Sequence, residues 1–350
     1  MYDDREDWDV EIEPKYKTDR KKYISVVVSR GPNNQLISLR ESLFVAIRLN
    51  RSYIIPPFFK HGLGDPTAKG EADIIPTYLR VDTHRIRQLI HTRNPSDVKS
   101  ACPSVGFDAF YVVSALCKEE GLTRLKRTCS YLNLTCQSEN GQFIGGEQCT
   151  NIPIPIFPSD EMKVNENPGS SPTDKITTKF VRNLTRIEGY YSTDHICPVI
   201  VYPYQMVNFW HHLNLYSMGK ITDDNQIMKD IVIHTPRPVF LQNYVDQFLT
   251  RLGGPFLAIH WRYDAEDWVK EQCSNNTPQR SFICQNPSIM TSADELATFI
   301  IKYIKKAQTE AEFDFMYIAS PPAQVELLEN VRELVTLAMP TFHIYLQSEV

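Results

Sequence analysis

The stretch P-F-L-A-I-H-W-R-Y-D-A-E-D-W, Pro255 to Trp268, decides how this chain is read. Its apolar run, Phe256 to Ile259, follows the breaker Gly253-Gly254-Pro255. A short apolar run bounded by turn residues predicts a buried strand. That strand delivers His260, Arg262, Asp264 and Asp267 in quick succession. In an open α/β sheet, ligands bind in the crevice at the carboxyl ends of the strands. A guanidinium fixed there can hold a phosphate through two parallel hydrogen bonds. The carboxylates that follow can accept hydrogen bonds from a base or a sugar. On charge content alone, the same residues also describe a solvated loop with a local Arg–Asp pair.

Downstream of this stretch, strand and helix patterns alternate. A loop carrying Cys273 and Cys284 leads to a predicted helix, Ser292 to Gln308, which opens with the capping box Ser292-Ala293-Asp294-Glu295. Leu296, Phe299, Ile300, Tyr303 and Ile304 form its expected inward face. A strand from Phe313 to Ala319, the turn Ser320-Pro321-Pro322, a helix from Gln324 to Ala338 and a strand from Phe342 to Leu346 complete the series. Such alternation predicts a parallel, Rossmann-like sheet. Upstream, Val239 to Leu252 reads as a helix with Phe240, Leu241, Tyr244, Val245, Phe248 and Leu252 on one side. The domain junction is placed near Thr235-Pro236-Arg237-Pro238, so residues 236–350 form the second domain.

In the first domain, residues 23–235, Tyr23 to Ser29 is rich in β-branched residues and reads as the first core strand. The loop Arg30-Gly31-Pro32-Asn33-Asn34 follows, then a helix from about Asn34 to Leu49 with Leu36, Leu39, Leu43 and Ile47 at helical spacing. The helix start faces back on the loop, an arrangement suited to an anion. Ser52 to Ile55 is a second strand, stopped by Pro56-Pro57. Val81 to Leu89 reads as a short helix and Val199 to Tyr204 as a strand. The segment from Cys102 to Thr150 carries five cysteines and reads as a disulfide-pinned excursion. Residues 1–22, acidic and then basic, are expected to be a solvated tail, and Asp7-Trp8-Asp9 lies in it rather than after a strand. The adjacent His211 and His212 have no third ligand nearby, which favours a surface or interface role over a metal.

Two of these stretches carry a family resemblance. His260-Trp261-Arg262, at a strand end and followed by acidic residues, resembles the His-x-Arg signature of the GDP-fucose protein O-fucosyltransferase superfamily. The order strand, R-G-P-N-N-Q (Arg30 to Gln35), helix, then L-N-R-S-Y-I-I-P-P-F (Leu49 to Phe58) is similar to that family's front end. The resemblance covers those two edges and leaves the middle of the chain unmatched. It implies a GT-B-like α/β fold, with two Rossmann-like domains facing across a cleft. It also implies transfer of fucose from GDP-fucose to a Ser/Thr hydroxyl of a folded protein acceptor, such as a small disulfide-rich repeat.

In that reading GDP-fucose is the donor substrate, no cofactor is needed and metal is not required. Arg262 holds the β-phosphate and acts as the catalytic residue. Arg30, Gly31, Asn33 and Asn34 face the donor sugar or phosphate. Asp264 or Asp267 contacts guanine or ribose, His260 orients the strand-end network, and Ser320 is a further nucleotide-side candidate. The glutamate base of one branch of the family has no counterpart in this loop, since Glu41 lies inside the helix. Rival readings are an α1,6-type or other GT-B fucosyltransferase acting on glycans, and an inactive lumenal binding protein. The family continues past its third C-terminal strand, whereas this sequence ends at Gln347-Ser348-Glu349-Val350. The second domain is therefore expected to be incomplete, its last strand an open apolar edge, with weak donor binding and little activity.

Composition bounds the same reading. At 350 residues the chain can hold two cores, and a net charge of −5 argues against general nucleic-acid binding. No window is long and apolar enough to span a bilayer, and the N-terminus has no secretory apolar segment. Eight cysteines without a Cys-x-x-Cys pair disfavour zinc. Together with sequons at Asn50, Asn133, Asn183 and Asn275, they fit the ER or Golgi lumen that the resemblance implies. Cys273 and Cys284, in one loop, are the expected pair.

Overall fold

The computed structural model describes residues 10–28, 31–60, 74–93, 97–102, 106–107, 109–112, 119–134, 196–201, 209–261, 288, 291–320 and 324–346. The chain divides into two compact units, Met1–Val239 and Phe240–Val350.

The first unit is built on a parallel sheet of five strands. These are β1 (Asp19–Val27), β2 (Arg51–Ile54), β5 (Thr92–Arg93), β6 (Ala109–Val112) and β7 (Pro198–Val201), in the order β5-β2-β1-β7-β6. A small antiparallel ribbon, β3 (Phe58–Phe59) with β4 (Ile74–Ile75), stands apart from it. Strand β1 lies at the centre and is buried on both faces, which is why it reads as a continuous apolar run. Side chains alternate along it: Ile24, Val26 and Val28 join one core cluster, Tyr23 and Val27 the other. Between them, the buried Ser25 hydroxyl donates to the carbonyl of Ile54 on β2.

Helix α1 (Pro32–Arg48) packs on the first face with α5 (Phe209–Ser217) and α6 (Asp223–Ile233). On the second face lie α3 (Val98–Ala101) and α4 (Glu119–Tyr131), with Cys102, Cys129 and Cys197. Cys102 bonds Cys197 across 95 residues, tying the end of α3 to the residue before β7. Cys129 is also in a disulfide.

Two expectations for this unit are corrected. The solvated tail does not extend to residue 22. Tyr16 pairs with Ile90 as a parallel bridge beyond α2 (Thr83–Leu89), and β1 itself starts at Asp19. The buried carboxylate of Asp230 draws this segment in: Lys15 Nζ and the Tyr16 hydroxyl both reach its Oδ2 at 2.6 Å. His212 is not a surface residue either. Its side chain is buried, stacked on Phe44 and hydrogen-bonded through Nδ1 to Asn225 Oδ1 at 2.7 Å.

The second unit holds a parallel sheet of three described strands, β8 (Phe256–His260), β9 (Phe315–Ala319) and β10 (His343–Leu346), in the order β10-β9-β8. Helix α8 (Ala293–Ala307) connects the first pair and α9 (Val325–Ala338) the second. Ser292 caps α8 by accepting from the Glu295 amide, while the Glu295 carboxylate accepts from Ser288. Leu296, Ala297, Ile300 and Ile304 of α8 are buried, but Phe299 and Tyr303 are exposed, contrary to expectation. Helix α7 (Val239–Leu252) departs from expectation in the same way. It meets the sheet through Phe248, whose ring contacts those of Phe256 and Tyr317, and it buries Leu252. Phe240, Tyr244 and Val245 are exposed. In each helix, adjacent apolar positions differ by about 100° around the axis, so one stripe of a broad apolar surface meets the core and the next does not.

Candidate functional site

In the first unit, the carboxyl end of β1 leads to the start of α1. Gly31 is the N-cap residue with φ −73° and ψ 170°, an extended conformation open to any residue, so glycine is not required there by its backbone. Gly31 has no side chain to cap α1, no acidic residue lies in its first turn, and Pro32 supplies no N–H. The first turn therefore presents the backbone N–H groups that a helix leaves without an intrahelical acceptor, at the positive end of the dipole.

The three amides after Pro32 divide their work. The exposed Asn33 accepts through Oδ1 from Arg237 Nη2 at 2.8 Å. Asn34 is half-buried, and its backbone carbonyl accepts from Ser38 Oγ. Gln35 is fully buried and turned inward: its Nε2 donates to the Phe59 carbonyl at 2.9 Å and its Oε1 accepts from the Phe59 amide at 2.8 Å. This two-point clamp fixes β3 beside the loop, so Gln35 is structural. Glu41 is also fully buried, and its Oε1 accepts from the Phe209 amide at the start of α5. It braces that helix and is not presented to a substrate.

The structure adds three arginines. Arg124, 4% exposed on α4, donates to the carbonyl of Val28 at the end of β1 and lies over the Phe59 ring. Arg40 donates from Nε to Thr235 Oγ1 at 2.8 Å and from Nη2 to the Thr235 carbonyl. Burial, reinforced by the neighbouring charge of Arg237, pushes the Arg40 guanidinium down to about 10, which leaves it charged at neutral pH. Arg237 is lowered by burial and then by Arg80, whose backbone carbonyl also accepts from Arg237 Nη1. One sequence cue existed for Arg237: it stands between Pro236 and Pro238, which restrict its backbone.

In the second unit, β8 and β9 run parallel with His260 opposite Ala319, and the Trp261 amide donates to the Ala319 carbonyl at 2.7 Å. His260 and Ser320 are thereby brought to the carboxyl ends of adjacent strands, with the His260 side chain exposed. Arg30, Arg262, Asp264, Asp267 and the sequons at Asn183 and Asn275 lie outside the described residues, as do Asp7, Asp9, Cys273 and Cys284. Asn50 and Asn133 are exposed and adopt φ values of 54° and 53°, at turns following α1 and α4. Among the described residues, no group of three His, Cys, Asp or Glu side chains is placed to hold a metal ion, and no helix is long and apolar enough to cross a membrane.

No family model matches the chain, and no curated protein matches it. Solved structures do. Crystal structures of POFUT1 in complex with GDP-fucose, in two crystal forms, superpose with TM-scores of 0.52 and 0.53 at 14% sequence identity. Each covers 95% of this chain, which spans 85% and 86% of the respective POFUT1 chains. At that identity the likeness is one of fold. The chain has the mixed α/β, GT-B-like fold of POFUT1.

Proposed function

We propose that this protein is a fucosyltransferase that takes GDP-fucose as donor and a Ser/Thr hydroxyl of a folded protein as acceptor. The observation that carries the reading is the placement of both motif-bearing segments at the carboxyl ends of parallel strands: Gly31 and the first turn of α1 beyond β1, and His260-Trp261 at the end of β8. That is where α/β sheets bind ligands. The fold likeness to a protein solved with GDP-fucose supports that donor over other nucleotide sugars.

In this reading the first turn of α1, with Asn33 and Asn34, binds phosphate or sugar oxygens through N–H donors. Arg262 neutralises the β-phosphate as the bond from the fucose anomeric carbon to its phosphate oxygen breaks, the electron pair passes to the diphosphate, the acceptor hydroxyl oxygen bonds to that carbon, and the hydroxyl proton passes to the departing diphosphate. A preorganised guanidinium stabilises that charge more in the transition state than in the ground state. Asp264 or Asp267 receives guanine or ribose donors, and His260 and Ser320 shape the strand-end crevice. Protein donors supply the charge neutralisation, so no metal is invoked. The Cys102–Cys197 disulfide, the bonded Cys129 and the exposed sequon residues Asn50 and Asn133 support a secretory compartment.

Transfer of labelled fucose to small disulfide-rich domains tests the reading. Arg262→Ala is expected to fold and to lose about a hundred- to a thousandfold in rate. Arg262→Lys should restore little, because a point charge does not reproduce the planar fork. Near-normal turnover by Arg262→Ala refutes the role.

A further inference from the structure

The geometry points to Arg237 as a positioning residue that fixes Asn33 as a hydrogen-bond donor toward the sugar-nucleotide. This rests on the reading of the α1 loop as part of the donor site. An asparagine amide has one acceptor end and one donor end, and its neighbours decide which faces outward. Arginine can only donate. The Arg237 Nη2 contact at 2.8 Å therefore holds Oδ1 of Asn33 and leaves the Asn33 NH2 group turned away from the guanidinium. Two N–H donors then stand beside the first-turn amides of α1, and the loop offers donors to phosphate or sugar oxygens.

Arg237 is itself held. Its Nη1 donates to the Arg80 carbonyl at 3.4 Å, and the preceding Pro236 carbonyl accepts from the Asp82 amide at 3.1 Å. One residue further back, buried Thr235 receives two hydrogen bonds from Arg40 of α1. Residues 235–237 are thus fastened to α1 and to the segment before α2, and the flanking prolines limit the backbone of Arg237. The guanidinium that orients Asn33 is preorganised, and it lies two residues before the end of the first unit. The role is positional: Arg237 acts through Asn33.

Four variants of the full chain separate this role from plain stabilisation: Arg237→Ala, Arg237→Lys, Asn33→Ala and Asn33→Asp. The measurements are titration with GDP-fucose and GDP, and hydrogen exchange of the Gln35 amide, which is bonded to the Gly31 carbonyl, without ligand. Arg237→Ala should weaken donor binding by about three- to tenfold, the worth of one hydrogen bond, and speed exchange of the Gln35 amide. Asn33→Ala should weaken binding similarly, and the double variant should be no weaker than either single one. Arg237→Lys should recover part of the loss. Asn33→Asp is the decisive variant. Its carboxylate keeps the arginine contact and should leave exchange slow, yet it removes the NH2 donors and should weaken binding about tenfold or more. Wild-type affinity in Asn33→Asp, or multiplicative losses in the double variant, overturns the proposal. If the wild-type chain binds no GDP-fucose or GDP, the donor reading itself fails. The contact is then judged by exchange alone, and unchanged exchange in Arg237→Ala overturns it as well.

Discussion

The two sheets are both parallel, yet they are buried to different degrees. In the first unit, β1 is covered on both faces, and two core clusters sandwich the sheet. In the second, one cluster gathers α8, α9 and the sheet, while β8 is only partly covered and aromatic residues of α7 and α8 face outward. The difference shows that an alternating strand–helix pattern fixes the direction of strands but not how completely each face is covered: α7 meets the second sheet through Phe248 and leaves Phe240, Tyr244 and Val245 exposed. A strand covered on both faces tolerates less truncation than one that is partly exposed.

The largest expected effect concerns the covalent tie that only the first unit shows among the described residues. Breaking the Cys102–Cys197 bond by a Cys102→Ala/Cys197→Ala double substitution opens a closure of 95 residues. Such a loop is worth about 4–5 kcal/mol in the chain-entropy account. Denaturant melts should show that loss. Hydrogen exchange should place it in β1, β7 and α3 and leave β8 to β10 unchanged; equal loosening of both units would break the comparison. Truncating matched strand residues sharpens it further. Ile24→Ala, at a fully buried position of β1, should cost about 3–4 kcal/mol, and Ile259→Ala, at a partly exposed position of β8, about 1–2 kcal/mol. Equal costs from chemical denaturation would mean that β8 is as well covered as β1.

A smaller effect is expected at the N-terminal segment. Burial acts to raise the Asp230 carboxyl, but hydrogen bonds from Lys15 and Tyr16 outweigh it and hold the group below its ordinary value of 3.8. A depressed carboxylate contributes fully above its unfolded value, and the contribution is lost as pH falls through the lower folded value. Residues 15–16 should therefore loosen only in acid, below about pH 4. Asp230→Asn should remove that dependence and cost about 1–3 kcal/mol at neutral pH, measured as stability against pH. An unchanged acid transition in Asp230→Asn would assign it to another group. The smallest effect belongs to the exposed, stacked pair Phe299 and Tyr303. Replacing both by serine should change stability by less than about 0.5 kcal/mol per site. A loss of several kcal/mol would show that this surface is packed in solution.

What the sequence reveals follows the same division. Strands β1, β2, β8, β9 and β10 and helices α1, α7, α8 and α9 are legible because each carries a local apolar run or period. Helices α4, α5 and α6 are not, although Thr222 followed by Asp223 and Asp224 is a fair start signal for α6. Buried polar residues interrupt the apolar period of α5 and α6: His212 faces Asn225, and Asp230 takes Lys15 and Tyr16 from more than two hundred positions away. The site divides likewise. Gly31, Asn33, Asn34, His260 and Ser320 stand at strand ends that local patterns locate. Arg40, Arg124 and Arg237 enter only through contacts that folding makes, as between Asn33 and Arg237, 204 residues apart. The inward Gln35 and the outward Asn33 are both amides in one loop, and only packing tells them apart.

Isothermal titration of the chain with GDP-fucose, GDP and UDP, with and without a chelator, tests the central claim most directly. The account predicts saturable binding of GDP-fucose and GDP, much weaker binding of UDP, and no change on adding chelator. Equal affinity for UDP and GDP, or no binding of either guanosine nucleotide, would contradict it.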